Sequence, residues 1–221
     1  NSMQKAAFVT LGCKVNQYES QMMQSKLRQS GYTLVGESSP ADLVIINSCT
    51  VTNFSDRKAR QLVRRATRKN PEAKVIVTGC YAESSKESIE QIPGVSMVFG
   101  NKEKVQLLSH LEELDLPTSS IQEPDLTHCD EQLAATENRL ESQPNHRTRA
   151  LLKVQDGCSA FCTYCIIPYV RGQMSSRPMQ EIVSEANEFA QAGFQEVVLT
   201  GIHLGSYGMD IKKLATLVDI I

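Results

Sequence analysis

Cys158, Cys162 and Cys165 lie in the segment Asp156-Gly157-Cys158-Ser159-Ala160-Phe161-Cys162-Thr163-Tyr164-Cys165, spaced Cys-x3-Cys-x2-Cys. Three thiolates in one short loop can hold three irons of a cubane 4Fe-4S cluster and leave the fourth iron open. A closed structural zinc site takes four ligands instead. On spacing alone, a zinc loop completed by a distant ligand such as His146 is the alternative.

A second set of cysteines is dispersed. Three β-rich runs each end in a small residue and a cysteine: Phe8-Val9-Thr10-Leu11-Gly12-Cys13, Val44-Ile45-Ile46-Asn47-Ser48-Cys49 and Val75-Ile76-Val77-Thr78-Gly79-Cys80. Between them lie helical patterns, from Asn16 to Gln29 with Tyr18, Met22, Met23 and Leu27 as an apolar stripe, and from Asp56 to Lys69 with Ala59, Leu62, Val63 and Ala66 as another. Strands alternating with helices predict an α/β fold with a parallel sheet. Loops that follow parallel strands open at one carboxyl edge, so Cys13, Cys49 and Cys80 are expected to converge there as a second three-cysteine site. Gly12 and Gly79 suit a tight exit from a strand, with Ser48 as the small equivalent. Taken one at a time, each cysteine is equally compatible with an ordinary core position.

These elements sit in an uneven field of charge. Residues 3–110 carry 15 Lys+Arg against 9 Asp+Glu, residues 111–148 carry 2 against 9, and residues 149–221 carry 6 against 7. The basic surplus peaks in Arg57, Lys58, Arg60, Arg64, Arg65, Arg68 and Lys69, a run without an acidic residue, with Ser55 or Asp56 as its candidate cap and Asn70-Pro71 as its end. Such a run can contact phosphates or form a plain solvated helix face. The acidic stretch with Pro117, Pro124 and Pro144 reads as a linker. Its Cys129 matches no cluster position and reads as an incidental thiol. Seven cysteines, an odd number, with neither an export signal nor an apolar run of membrane-spanning length, argue against a disulfide framework and for a reducing, cytoplasmic setting.

From Arg149 the pattern restarts. Ala150 to Gln155 predicts a strand leading into the cysteine loop, Pro178 to Ala192 a helix, and Glu196 to Thr200 a second strand. Gly201-Ile202-His203-Leu204-Gly205-Ser206-Tyr207-Gly208 follows, and then a helix from Ile211 to the end. This is the opening of a (β/α) barrel, with both loops at the carboxyl ends of strands. Only 71 residues follow Ala150, against about 250 for a closed barrel, so the chain reads as a piece of a longer enzyme, inert by itself. The expected division is 3–110 as an N-terminal domain, 111–148 as a linker, and 149–221 as the start of a barrel domain.

The Cys-x3-Cys-x2-Cys spacing resembles the radical S-adenosylmethionine (SAM) superfamily. The wider pattern resembles its methylthiotransferase family: Thr10-Leu11-Gly12-Cys13-Lys14-Val15-Asn16-Gln17-Tyr18-Glu19-Ser20, Asn47-Ser48-Cys49-Thr50-Val51-Thr52, Thr78-Gly79-Cys80-Tyr81-Ala82, Leu152 to Cys158, Ile166 to Gly172 and Leu199 to Gly208. Lys14 to Tyr18 favour the class that modifies threonylcarbamoyladenosine beside the tRNA anticodon over the sister classes acting on isopentenyl-adenosine or a ribosomal-protein aspartate.

The resemblance implies two 4Fe-4S clusters, an auxiliary one on Cys13, Cys49 and Cys80 and a SAM cluster on Cys158, Cys162 and Cys165. It also implies SAM as co-substrate, an electron donor, and a tRNA anticodon stem-loop as substrate. One SAM would methylate a sulfur at the auxiliary cluster, and a second would be cleaved to a 5′-deoxyadenosyl radical that takes the hydrogen from carbon 2 of the adenine. Tyr164 falls where the superfamily places an aromatic beside the SAM adenine, a packing tyrosine being the alternative. Gly201 and His203 would lie near SAM. The competing class of function is a zinc-bound module that grips nucleic acid through the Arg57 to Lys69 helix.

Overall fold

The computed structural model describes residues 4–50, 53–118, 149–211 and 216–221. Residues up to 118 together with Tyr164–Val170 form one compact unit, and 149–163 with 171–221 form a second. The stretch 119–148, with Cys129 and His146 and most of the expected linker, lies outside the described residues.

The first unit is a five-stranded parallel sheet. Its strands are β1 (Lys5–Thr10), β2 (Thr33–Val35), β3 (Leu43–Ser48), β4 (Lys74–Gly79) and β5 (Met97–Val98), in the order β2-β1-β3-β4-β5. The central strand β3 is buried along its whole length, as expected of a near-continuous apolar run covered on both faces. Side chains alternate across the sheet. Ala7, Val9, Val44, Ile46, Val75 and Val77 face α2 (Asn53–Lys69) and α3 (Cys80–Glu90), through Ala59, Val63, Ala66, Tyr81, Ala82 and Ile89. Ala6, Leu43, Ile45 and Ile76 face α1 (Lys14–Gln29) and α4 (Leu107–Glu113), through Met23, Leu27, Leu107, Leu108 and Leu111. Leu116 belongs to this second cluster, so the unit's core extends into the acidic stretch.

The second unit is a β-α-β element. Strand β6 (Arg149–Lys153) pairs in parallel with β9 (Glu196–Thr200), and α6 (Met179–Gln191) lies between them in sequence. The expected single strand to Gln155 is broken at Val154, and β7 (Gln155–Asp156) turns to pair antiparallel with β8 (Ser175–Ser176). A short helix, α5 (Ile167–Arg171), follows the cysteine loop. The continuous helix expected from Ile211 is corrected. Thr216 has extended backbone and opens a single 3-10 turn, Leu217–Asp219, through a capping box with Asp219. The Asp219 carboxylate accepts both the Thr216 amide, at 2.6 Å, and its hydroxyl, at 2.8 Å, and these bonds hold its pKa below the ordinary range. That reciprocal capping favours a new start over a helix running through.

Candidate iron–sulfur sites

The order β2-β1-β3-β4-β5 reverses between β1 and β3, and the crevice outside the carboxyl ends of such strands is where open α/β sheets bind ligands. Cys13 follows β1 and Cys49 follows β3, so these two cysteines flank that point. Cys80 opens α3 at the end of the next strand. Thr10, Asn47 and Thr78 are in register across the three strands, which brings the three cysteine turns to one edge. Among the described residues none of the three is in a disulfide; Cys49 and Cys80 are buried and Cys13 is exposed.

Two glycines press these turns together. Gly12 has φ +100°, and a Cβ there would stand 2.8 Å from Cys49 Cβ and 3.0 Å from its Sγ. Gly79 has φ +98°, and a Cβ there would stand 2.3 Å from the Ser48 carbonyl oxygen. Both positions need the left-handed backbone that glycine adopts freely, and both need the absent side chain.

Sequence reasoning missed the polar frame beneath this edge. The fully buried Asn16 donates its amide to the Leu11 carbonyl at 2.7 Å and the Ser48 carbonyl at 2.9 Å, tying the turn before Cys13 to the turn before Cys49. Asn47 donates to the Asn16 carbonyl at 2.9 Å. Ser48 Oγ donates to the Thr78 carbonyl at 2.5 Å and accepts the Ala82 amide at 3.3 Å, which fixes the start of α3 around Cys80. Beside Cys80, Asn101 Nδ2 lies 3.7 Å from the sulfur, and its Oδ1 accepts Lys104 Nζ at 2.8 Å. Lys104 is itself buried in an ion pair with Glu19. Nothing in the sequence marks Lys104 as buried or assigns its partner.

In the second unit the segment that leads into Cys158 and Cys162 is held at its base. Cys158 N–H donates to the Gly172 carbonyl at 3.1 Å. Asp156 accepts the Gly157 amide at 2.8 Å and pairs with the buried Arg171 guanidinium at 2.9 Å. Gly157 has φ +66°, with the Gln173 carbonyl oxygen where a Cβ would sit. Cys162 is exposed and Cys158 and Cys165 are half-buried. Tyr164 is 90% exposed.

Gln155, fully buried, joins this loop to the one after β9. Its amide donates to the Asp156 and Gly157 carbonyls, each at 2.7 Å. Its Oε1 accepts the Ile202 amide at 2.9 Å and the His203 amide at 2.8 Å. Gly201 lets the two loops approach, since a Cβ there would lie 3.0 Å from Gln155 Oε1. His203 Nδ1 lies 2.8 Å from Ser206 Oγ and 4.0 Å from Cys158 Sγ. Tyr207 donates its hydroxyl to the Arg177 carbonyl at 2.7 Å, and burial, with Asp210 adding to it, pushes that hydroxyl's pKa up.

The chemistry of these donors suits iron–sulfur ligation. Among the described residues no three His, Cys, Asp or Glu side chains come together tightly enough for a single metal ion. A cubane is larger and takes one thiolate per iron, which three cysteines on three adjoining turns can supply.

Residues 5–100 match Uncharacterized protein family UPF0004. Over 95% of its length the chain is 42% identical to the threonylcarbamoyladenosine tRNA methylthiotransferase MtaB of Bacillus subtilis (strain 168). By sequence the chain is similar to methylthiotransferases over nearly its whole length. It is 40% identical, over 93% of its length, to the MtaB of Aquifex aeolicus (strain VF5). The chain spans about half the length of these methylthiotransferases, 46% and 50%. In fold it is similar to the radical SAM methyltransferase TsrM from Kitasatospora setae, with a TM-score of 0.56 at 14% identity, covering 90% of this chain and 48% of that one. Among the described residues no helix is long and apolar enough to cross a membrane.

Proposed function

We propose that the protein carrying this chain is a radical SAM tRNA methylthiotransferase that adds a methylthio group to carbon 2 of threonylcarbamoyladenosine beside the anticodon. The observation that carries the reading is the meeting of three cysteine turns at the sheet's switch point, in a chain 42% identical to a protein named for that reaction. Cys13, Cys49 and Cys80 would hold an auxiliary 4Fe-4S cluster, and Cys158, Cys162 and Cys165 a second that binds SAM. When bound, the clusters and SAM supply a carbon radical strong enough to take hydrogen from an aromatic C–H bond, and sulfur for the methylthio group.

The chain's own residues hold and orient. Asn16, Ser48, Gly12 and Gly79 keep three thiols on one edge, and Asn101 directs an amide at Cys80. Gln155 holds the Cys158 loop against the Gly201 to His203 turn, and Tyr164, Gly201 and His203 would contact SAM. A tRNA anticodon stem-loop is the macromolecular substrate, and an external donor supplies electrons.

Anaerobic reconstitution of the full-length protein followed by iron and sulfide analysis tests the ligand set. About eight irons per chain are expected for two cubanes; zinc without iron ends the reading. Mass spectrometry of tRNA nucleosides from a strain lacking the gene tests the substrate. Loss of 2-methylthio-threonylcarbamoyladenosine alone is expected. Loss of isopentenyl derivatives instead would assign the sister tRNA class, and unchanged nucleosides a protein substrate.

A further inference from the structure

Helix α2 has two unlike sides. Ala59, Val63 and Ala66 are buried against the sheet, whereas Arg57, Lys58, Gln61, Arg64, Arg65, Arg68 and Lys69 are exposed. Among the described residues, none of Arg57, Lys58, Arg64, Arg65 and Arg68 has a carboxylate partner, and Lys69 donates to the Ser38 carbonyl. The second unit behaves differently: Arg149, Lys153, Arg171 and Arg177 all pair with acids. On α2 the neighbours one turn apart are instead alike. Arg60 and Arg64, Arg64 and Arg68, and Arg65 and Lys69 are i,i+4 pairs of the same sign, an arrangement that destabilises a helix. A plain solvated helix relieves such repulsion with interleaved acids, and the run from 57 to 69 contains none.

The placement is directional. Helix α2 begins four residues after Cys49, at the sheet edge that carries the three cysteine turns, and descends about 18 Å from Arg57 to Lys69. Arg60 is committed elsewhere, its guanidinium donating to the Tyr81 hydroxyl at 3.0 Å beside Cys80. The remaining bases line an outer track, with an open depression between Gln61, Arg65, Arg68 and Lys69. Arginine's planar fork suits phosphate oxygens, and arginine supplies most of the track.

We propose that this face of α2 docks the phosphate backbone of the RNA substrate, so that the strand leading away from the reacting base runs down the helix. The inference rests on the tRNA reading above and adds the surface that reading lacks. Arg57, Arg64, Arg65 and Arg68 are its contacts.

The test uses the full-length reconstituted protein and a synthetic anticodon stem-loop RNA, with affinity measured as a function of salt. Each phosphate contact contributes about 0.7–0.9 to the slope of log affinity against log salt, so R57Q/R64Q/R65Q/R68Q is expected to flatten the slope by about 3 and to weaken binding at least about tenfold at low salt. A control variant, K5Q/K74Q/K86Q/K102Q, removes the same charge from other exposed positions and is expected to keep the wild-type slope. An unchanged slope in the α2 variant, or equal losses in the two variants, overturns the proposal. Cluster absorbance and thermal melting report folding; should the quadruple variant fail to fold, R64Q and R68Q singly are each expected to lower the slope by about 0.8. Wild-type protein that does not bind the RNA would instead overturn the tRNA reading itself.

Discussion

Gln155 Oε1 accepts the His203 backbone amide at 2.8 Å across 48 residues of sequence, while the other end of the same side chain donates to the carbonyls that lead into Cys158. One buried amide therefore sets the distance between the cysteine loop and the turn after β9. Gln155→Ala leaves two amides and two carbonyls without their partner. At about 1–3 kcal/mol for a buried group left unsatisfied, with partial relief from water, the variant is expected to lose about 2–4 kcal/mol. Urea unfolding checks this, and an unchanged midpoint would show that the two loops are held by something else.

Asn16 is the corresponding tie in the first unit. In a background with Cys158, Cys162 and Cys165 changed to alanine, only the strand-end cysteines remain as candidate ligands. There, Asn16→Ala is expected to lower cluster affinity by about 10–100-fold, the usual effect of losing a partner that orients ligands. Iron retained during titration with a chelator is the readout. Full retention would mean that Gly12 and Gly79 suffice.

The buried pair of Lys104 and Glu19 supports Asn101 and, through it, the donor beside Cys80. Lys104→Met strands a buried carboxylate and is expected to destabilise the fold by about 3–5 kcal/mol, whereas Lys104→Met with Glu19→Leu is expected to recover most of that loss. Asn101→Ala removes the donor to sulfur and is expected to make the potential of the proposed cluster on Cys80 more negative, since such bonds help set it. Denaturation and redox titration check the two statements separately.

Gly79 and Gly193 both adopt positive φ, +98° and +87°, but only Gly79 has backbone where a Cβ would sit. Gly193→Ala should therefore cost only the left-handed strain, about 1–2 kcal/mol. Gly79→Ala adds a clash with Ser48 and is expected to exceed about 3 kcal/mol. Equal costs in paired melts would remove the close approach of β3 and β4 ends as a reason for this glycine.

Tyr32 is buried, and its hydroxyl pKa is pushed up to about 12 by that burial, with the Asp42 carboxylate adding to it. Folding holds this proton on, so the group's contribution to stability is present below the ordinary pKa of 10.0 and is lost as pH rises through about 12. A titration of tyrosinate absorbance should show a late phase that Tyr32→Phe abolishes.

Much of the architecture was legible in the sequence because it rests on local periodicity. The strands before Cys13, Cys49 and Cys80 are β-branched runs, α1 and α2 carry apolar stripes at helical spacing, and parallel topology brings the ends of β1, β3 and β4 to one edge. Strands β2 and β5 escaped notice because three and two residues are too few to show a period. The inward leucines of α4 were masked by the acidic composition that follows them.

What the sequence determined by itself was the set of donors and their distribution: three cysteines in one loop, three at strand ends, and a helix basic along its solvent side. What the tertiary structure decided was their support. Asn16 to Ser48, Gln155 to His203 and Glu19 to Lys104 are separated by 32, 48 and 85 residues. No periodicity links such pairs. A buried polar group takes whatever partner the fold brings within reach, and only the folded chain shows which one that is.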